Sequence, residues 1–415
     1  MLISKLHTPE GVKDYLPNEC ILKKKIEDSI AKVFKSYGYL PVISPTFEYN
    51  DVFCGMGGVK DSRVFKFLDR DGALLVLRPD MTPAIARIGA TAYSKKDLPL
   101  KFYYIESMFR TNENYQGKLR EFTQAGIELL GVNSIEADAE VVTCAINSLL
   151  AIGVDNFKLD LGHALFLKGV IEEANVSDEI GSAIQKNIIK KNYVAVNELA
   201  ENIENKNIKY ILQELPLLIG NESVIHKVRD KVTNESSLKA INYLGELYNI
   251  LKSLGFEKYI SFDLGVIGSM DYYTGLIFRG YGKGSGASIL DGGRYDNMVE
   301  KFGTEMPAVG FALKVNDLMK IMDMPEEKGS EYIAVYDSGS RIEAFKTANI
   351  LREKGISVEM SFLGFDIEEN RQYAVNKNIS YILFFKGNEI KLINVSDSSE
   401  KTVSITDLLA EEESK

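Results

Sequence analysis

Cysteine, histidine, long apolar runs and excess positive charge are all scarce in this 415-residue chain, and each scarcity excludes something. The three cysteines, Cys20, Cys54 and Cys144, stand far apart with no CxxC spacing, which argues against a disulfide framework and against zinc. The three histidines, His7, His163 and His226, read as structural or surface groups, so neither a metal nor a cofactor is expected. No apolar run reaches the roughly 20 residues that a membrane-spanning helix needs. The opening MLISKLHTPEG lacks an apolar core and a small-residue cleavage site, so no signal peptide and a cytoplasmic location are expected. Net charge is −10, whereas nucleic-acid binders present a basic patch. What remains is ordinary globular material, 45% apolar and 26% charged, long enough for two or three domains.

The most informative stretch runs from Tyr104 to Gly131, YIESMFRTNENYQGKLREFTQAGIELLG. Phe102–Phe109 and Glu121–Leu130 have the apolar and aromatic content of strands, and the polar loop between them supplies turn residues. Arg110 closes the first strand and Arg120 opens the second. A hairpin would aim both guanidiniums at one spot, an arrangement suited to a phosphate or carboxylate. Gln124, Gly126 and Glu128 fall at period two on one face, and a buried Glu there needs a cationic partner. The plainer alternative is an ordinary hairpin with surface arginines.

The wording of that stretch resembles motif 2 of the class II aminoacyl-tRNA synthetases in its histidyl-tRNA synthetase version, FR-x-E-x-P-x-x-G-R-x-REF-x-Q-x-x-x-E. Further resemblances are spread along the chain. Leu22, Ile26, Ile30, Val33, Phe34 and Tyr37 form a helical stripe ended by Gly38, and the extended YLPVISPTFE follows. Together they are similar to motif 1, which forms the dimer interface in that family. VFKFLDRDGALLVL predicts a hairpin, and the LRPDMT after it resembles the family's LRPEGT, whose acid receives the α-ammonium of histidine. Asp80 and Thr82 there suit a helix cap as well as a pocket. DYYTG and GGRYD look like the histidine signatures RGLDYYTG and GGGRYDG, and MPAVGFALKVNDLMKIM resembles motif 3.

The resemblance implies an α+β, class II synthetase-like core over 1–322: an antiparallel sheet flanked by helices, with a helical insertion at about 166–257. A linker over 323–330 and a small α/β domain over 331–415, similar to an anticodon-binding domain, complete it. It also implies a histidine site of Asp80, Thr82, Arg110, Gln124, Glu128, Tyr272, Tyr273 and Tyr295. Ser134 is expected to cap a helix reaching Ile152, and Phe157–Leu161 to form a strand. Within the insertion, strand signals vanish. GYGKGSG lacks the Walker spacing and joins two strands, so it reads as a hairpin loop. The last domain reads βαβαβ, with 10 Lys/Arg against 15 Asp/Glu; Asp366, Glu368 and Glu369 stand where the family tends to be basic.

The resemblance breaks where chemistry would occur. Activating an amino acid brings two anions together, and catalysis rests on charge neutralisation by arginines and Mg²⁺. The arginine of RGLDYY is Gly268 here, the motif 3 arginine is Asp317, and a motif 3 glycine is Lys314. Asn112 and Asn114 replace the Glu and Pro of motif 2. Losing two cationic donors slows such a step by roughly 10⁴-fold. An amino-acid pocket without its ATP clamp resembles the regulatory subunits of ATP phosphoribosyltransferase, paralogues of histidyl-tRNA synthetases. That resemblance implies a non-catalytic protein that activates a short catalytic subunit and takes part in histidine feedback at the first step of histidine biosynthesis. It implies a homodimer within a hetero-octamer, with no tRNA and no membrane as partner. The alternative is an active histidyl-tRNA synthetase.

Overall fold

The computed structural model describes residues 6–54, 59, 61–111, 118–266, 272–325, 329–387 and 389–413. Gly268, Asn112 and Asn114 lie outside them. The chain divides into two units, Met1–Met324 and Pro325–Lys415.

The first unit is built on a largely antiparallel sheet of nine strands among the described residues. Its strands are β1 (Leu40–Pro41), β5 (Leu100–Phe109), β6 (Glu121–Leu130), β7 (Phe157–His163), β8 (Ile219–Gly220), β9 (Ile260–Asp263), β10 (Leu276–Gly282), β11 (Leu290–Arg294) and β12 (Ala308–Lys314), in the order β1-β5-β6-β12-β11-β10-β7-β9-β8. The β5–β6 ladder runs unbroken from Leu100 opposite Leu130 to Phe109 opposite Glu121. A small sheet of β2 (Phe47–Tyr49), β3 (Lys66–Leu68) and β4 (Leu74–Leu77) stands beside it and includes the expected hairpin.

Helices cover the sheet because their apolar stripes demand it. Helix α1 (Pro17–Ser36) starts with Pro17 in its first turn and buries Leu22, Ile26, Ile30 and Phe34 at four-residue spacing. Each such side chain contributes about 1.5–3 kcal/mol by leaving water. Gly38, at φ +80°, takes the left-handed turn that releases the chain into β1. Helix α2 (Thr82–Ala92) follows β4, and α3 (Ile135–Ala151) is capped by Ser134, whose hydroxyl accepts from the Ala137 amide at 3.3 Å.

The helical stretch begins at Ala164, directly after β7. It contains α4 (Ala164–Glu173), α5 (Asp178–Ile189), α6 (Tyr193–Ala200), α7 (Lys206–Glu214), α8 (Ser223–Arg229) and α9 (Glu235–Ser253). It is not free of strands: β8 pairs with β9. Two residues are too few for period-two alternation to show in sequence. The unit closes with α10 (Val315–Ile321) after β12.

The second unit has the order β14-β13-β15-β16-β17, formed by β13 (Tyr332–Tyr336), β14 (Val358–Met360), β15 (Tyr381–Lys386), β16 (Glu389–Asn394) and β17 (Glu400–Val403), with helices α11 (Arg341–Glu353), α12 (Ile367–Asn376) and α13 (Ile405–Glu413). Strands β13, β14 and β15 are parallel, and α11 and α12 pack into separate cores on them. The βαβαβ reading therefore falls short by β17 and α13. Strand β17 lies at an edge with only Val403 buried, so it lacks an apolar alternation. Asp366 caps α12, accepting from the Glu368 and Glu369 amides at 2.9 and 3.0 Å, so these acids also have a helix-terminal reason to be there.

Candidate functional site

All eight residues assigned to the histidine pocket line one cavity of about 700 Å³ in the first unit. Asp80 lies between β4 and α2, almost fully buried, and its Oδ1 accepts from the Met81 amide at 2.9 Å. Thr82 opens α2, but its hydroxyl does not cap the helix; it donates to Glu128 Oε1 at 2.8 Å. Tyr295, just after β11, donates its hydroxyl to Glu128 Oε2 at 2.5 Å. Glu128, on β6, is 2% exposed. Burial pushes its carboxyl up to about 8; Tyr295 and Thr82 pull the other way, and Asp80 adds to the rise. Asp80 is likewise raised by burial, against the opposing charge of Arg110.

Arg110, at the end of β5, donates through Nε to the Pro79 carbonyl at 2.7 Å and lies 5.2 Å from the centre of the Phe122 ring. Its Nη2 stands 3.9 Å from Asp80 Oδ1, too far for a hydrogen bond. Three buried polar atoms of the cavity therefore have no hydrogen-bond partner among the described residues: Asp80 Oδ2, Gln124 Oε1 and Arg110 Nη2. Native interiors seldom leave such atoms unsatisfied, and a cost of about 1–3 kcal/mol each makes them a place for a polar ligand. Two acceptors and a guanidinium suit an ammonium and a carboxylate on one small molecule. Glu128, with the clustered rings of Tyr272, Tyr273 and Tyr295, offers an apolar cage with titratable acceptors beside them.

Glycines keep this space open by close approach. A Cβ at Gly310 would sit 1.9 Å from Glu128 Oε2, and one at Gly293 would sit 2.6 Å from the Tyr273 ring. Tyr104 was missed in the sequence although it lines the cavity and is 1% exposed. Its signal is Gly126, its cross-strand partner, where a Cβ would lie 2.5 Å from the Tyr104 hydroxyl.

The outer half of the cavity differs. Lys314 ends β12 and holds Asp291 of β11 at 2.5 Å; Arg279 of β10 lies 3.7 Å from the same carboxylate. Burial would raise Asp291, but the two cations and Ser288 outweigh it, and the carboxyl sits below its usual range. Asp317 also lines the cavity and pairs with Lys320 at 2.7 Å. Asp291 was not singled out in sequence, although it precedes GGRYD where GGGRYDG has its first glycine. Of the GYGKGSG segment, Gly280, Tyr281 and Gly282 end β10 and only the remainder lies in the connection to β11, where Gly284, Ser285 and Gly286 line the cavity too.

One expectation is corrected. Arg120 does not join Arg110: it reaches Glu10 at 3.8 Å, and its side chain packs where a Cβ on Gly11 would be. The hairpin's backbones pair at this point, the Arg110 amide donating to the Arg120 carbonyl at 2.8 Å, but each guanidinium has its own partners: the Pro79 carbonyl and Phe122 ring hold Arg110, whereas Arg120 lies over Gly11 towards Glu10. His163 accepts from the Leu165 amide and caps α4, and His226 is a surface group beside Glu222.

A family model described as histidyl-tRNA synthetase matches residues 11–318. A protein of Acetivibrio thermocellus named ATP phosphoribosyltransferase regulatory subunit is 41% identical over 413 residues, covering 98% of this chain and 99% of that protein. The chain belongs to that family. A second member, from Ruminiclostridium cellulolyticum, is 38% identical and covers 98% of each chain. Among solved structures, an ATP phosphoribosyltransferase regulatory subunit/histidyl-tRNA synthetase from Bacillus halodurans superposes with a TM-score of 0.83 at 29% identity, over 92% of this chain and 98% of that one. A histidyl-tRNA synthetase from Nostoc sp. gives a TM-score of 0.81 at 21% identity over 99% of both chains, which shows the shared fold. The family thus has the expected α+β, class II synthetase-like architecture. No helix among the described residues is long and apolar enough to cross a membrane.

Proposed function

We propose that this chain is the regulatory partner of the short catalytic subunit of ATP phosphoribosyltransferase. It activates that subunit and binds histidine as the feedback effector of the first step of histidine biosynthesis. The observation that carries the effector is the trio of unsatisfied buried atoms, Asp80 Oδ2, Gln124 Oε1 and Arg110 Nη2, beside Glu128. The first two acceptors receive the α-ammonium and Arg110 the carboxylate, while Glu128, Tyr273 and Tyr295 meet the imidazole. Tyr272 packs against both tyrosine rings. Histidine acts by binding one arrangement of the complex more tightly than the other, since only differential affinity shifts an equilibrium. The chain works as a homodimer within a hetero-octamer in the cytoplasm and does not charge tRNA. Loss of synthetase chemistry is supported by Asp317 in place of the motif 3 arginine and by Gly268 in place of the other.

The test is histidine-dependent ATP–pyrophosphate exchange, with a histidine-induced thermal shift on the same preparation. A shift without exchange, together with faster phosphoribosyl transfer when the catalytic subunit is added, is the expected result. Exchange at synthetase-like rates would establish the synthetase reading instead.

A further inference from the structure

The outer half of the cavity carries a charged row across three neighbouring strands. Arg279 on β10 is directly opposite Asp291 on β11, and Asp291 is opposite Ala312 on β12, two residues before Lys314. The order is cation, anion, cation. The Lys314 ammonium has three N–H donors, and three acceptors take them: Asp291 Oδ2 at 2.5 Å, the Ser288 carbonyl at 3.0 Å and the Ser288 hydroxyl at 2.6 Å. No N–H of Lys314 is left over to receive a phosphate. The next cation outward, Lys320, is held by Asp317. Both positions of the Asp291–Lys314 pair are glycines in the synthetase patterns, so carboxylate and ammonium occupy volume that glycine would leave open.

We infer that the Arg279–Asp291–Lys314 row is a specificity barrier: a built-in ion-pair network that stands where a second, polyphosphate-bearing ligand would lie, so that the cavity admits an amino acid and rejects a nucleoside triphosphate. The inference rests on the amino-acid reading of the inner half and adds to it a reason for the exclusion. The missing arginines remove attraction, whereas this row adds bulk and ties its two cations to a carboxylate. A triphosphate entering the cavity meets the Asp291 carboxylate and two cations already engaged with it. Filled volume and cations that are already engaged are how such a site discriminates against a ligand it would otherwise admit.

The experiment measures Mg²⁺–ATP binding by equilibrium dialysis on the full chain, with a histidine thermal shift alongside. The variants are the double substitution Asp291→Gly/Lys314→Gly and, should that one fold poorly, Asp291→Asn/Lys314→Met, which keeps side-chain volume and removes both charges. The natural chain is expected to bind ATP too weakly to detect. The folded double variant should gain at least ~10-fold in ATP affinity, about 1.4 kcal/mol. Its histidine-induced shift should stay close to that of the natural chain. Tight ATP binding by the natural chain, or no gain in a double variant that still responds to histidine, overturns the barrier. Absence of a histidine shift in the natural chain speaks against the effector reading alone, because the ATP comparison between chains is still decided.

Discussion

Glu128 is the residue on which most of the site's physics converges. Its carboxyl lies in a low-dielectric setting with Asp80 nearby, and it holds its proton up to about pH 8 instead of the ordinary 4.5. The sign follows directly. Between those values the folded protein keeps a proton that the unfolded chain has released, so stability falls as pH rises through that window. Fully present below about pH 4.5, this contribution is gone above about pH 8, and its size is on the order of a few kcal/mol. Glu128→Gln, which cannot titrate, should flatten the pH dependence. Urea unfolding of both proteins at pH 5, 7 and 8 measures it, and parallel curves would show that Glu128 titrates normally. Gly310 gives a second test at this scale. Gly310→Ala puts a methyl 1.9 Å from Glu128 Oε2, so Glu128 must move. Expected are a stability loss of about 1–3 kcal/mol and disappearance of the histidine-induced thermal shift. An unchanged shift would place histidine elsewhere.

Elements explain why some of these residues were readable in advance. The helix α1 stripe, the Gly38 stop and the β5–β6 pair are local signals: period, cap and turn chemistry lie within a dozen residues of one another. Strand β17 and the two-residue β8 were not readable: β17 has mostly exposed side chains and no apolar alternation, and β8 is too short for a pattern and pairs with β9, about forty residues on. The acids of α12 carry a related lesson. Asp366, Glu368 and Glu369 look like a surface hostile to nucleic acid, but Asp366 also closes the helix's free amides. Asp366→Ala should therefore cost about 0.5–2 kcal/mol of stability, read by chemical denaturation, and leave the histidine shift untouched. Another element-scale device is the buried Arg294, which ends β11. Its guanidinium donates to Asp138 on α3, and Tyr243 of α9 donates to the same carboxylate. Sheet, flanking helix and helical stretch are thereby tied together one residue from Tyr295.

At the scale of the molecule, charge argues against a tRNA partner. The chain carries −10 overall, and binding to phosphodiester backbones depends on releasing counterions with lysines and arginines. Filter binding at physiological salt should retain tRNA no better than an unrelated acidic protein does. Saturable retention would reopen the synthetase reading.

The sequence by itself determined the fold family, most of the order of elements and eight residues that the fold gathers at one cavity, because each is carried by short motifs whose spacing the backbone geometry imposes. It also revealed that Lys314 and Asp317 depart from the synthetase pattern. Only the tertiary structure decided which charges meet: that Arg120 turns to Glu10 and leaves Arg110 alone by Asp80, that Glu128 accepts from Thr82 and Tyr295, and that Asp291 lies between Arg279 and Lys314. The reason is physical. A motif constrains neighbours along the chain, whereas desolvation and ion pairing depend on distances of a few ångströms between strands dozens of residues apart.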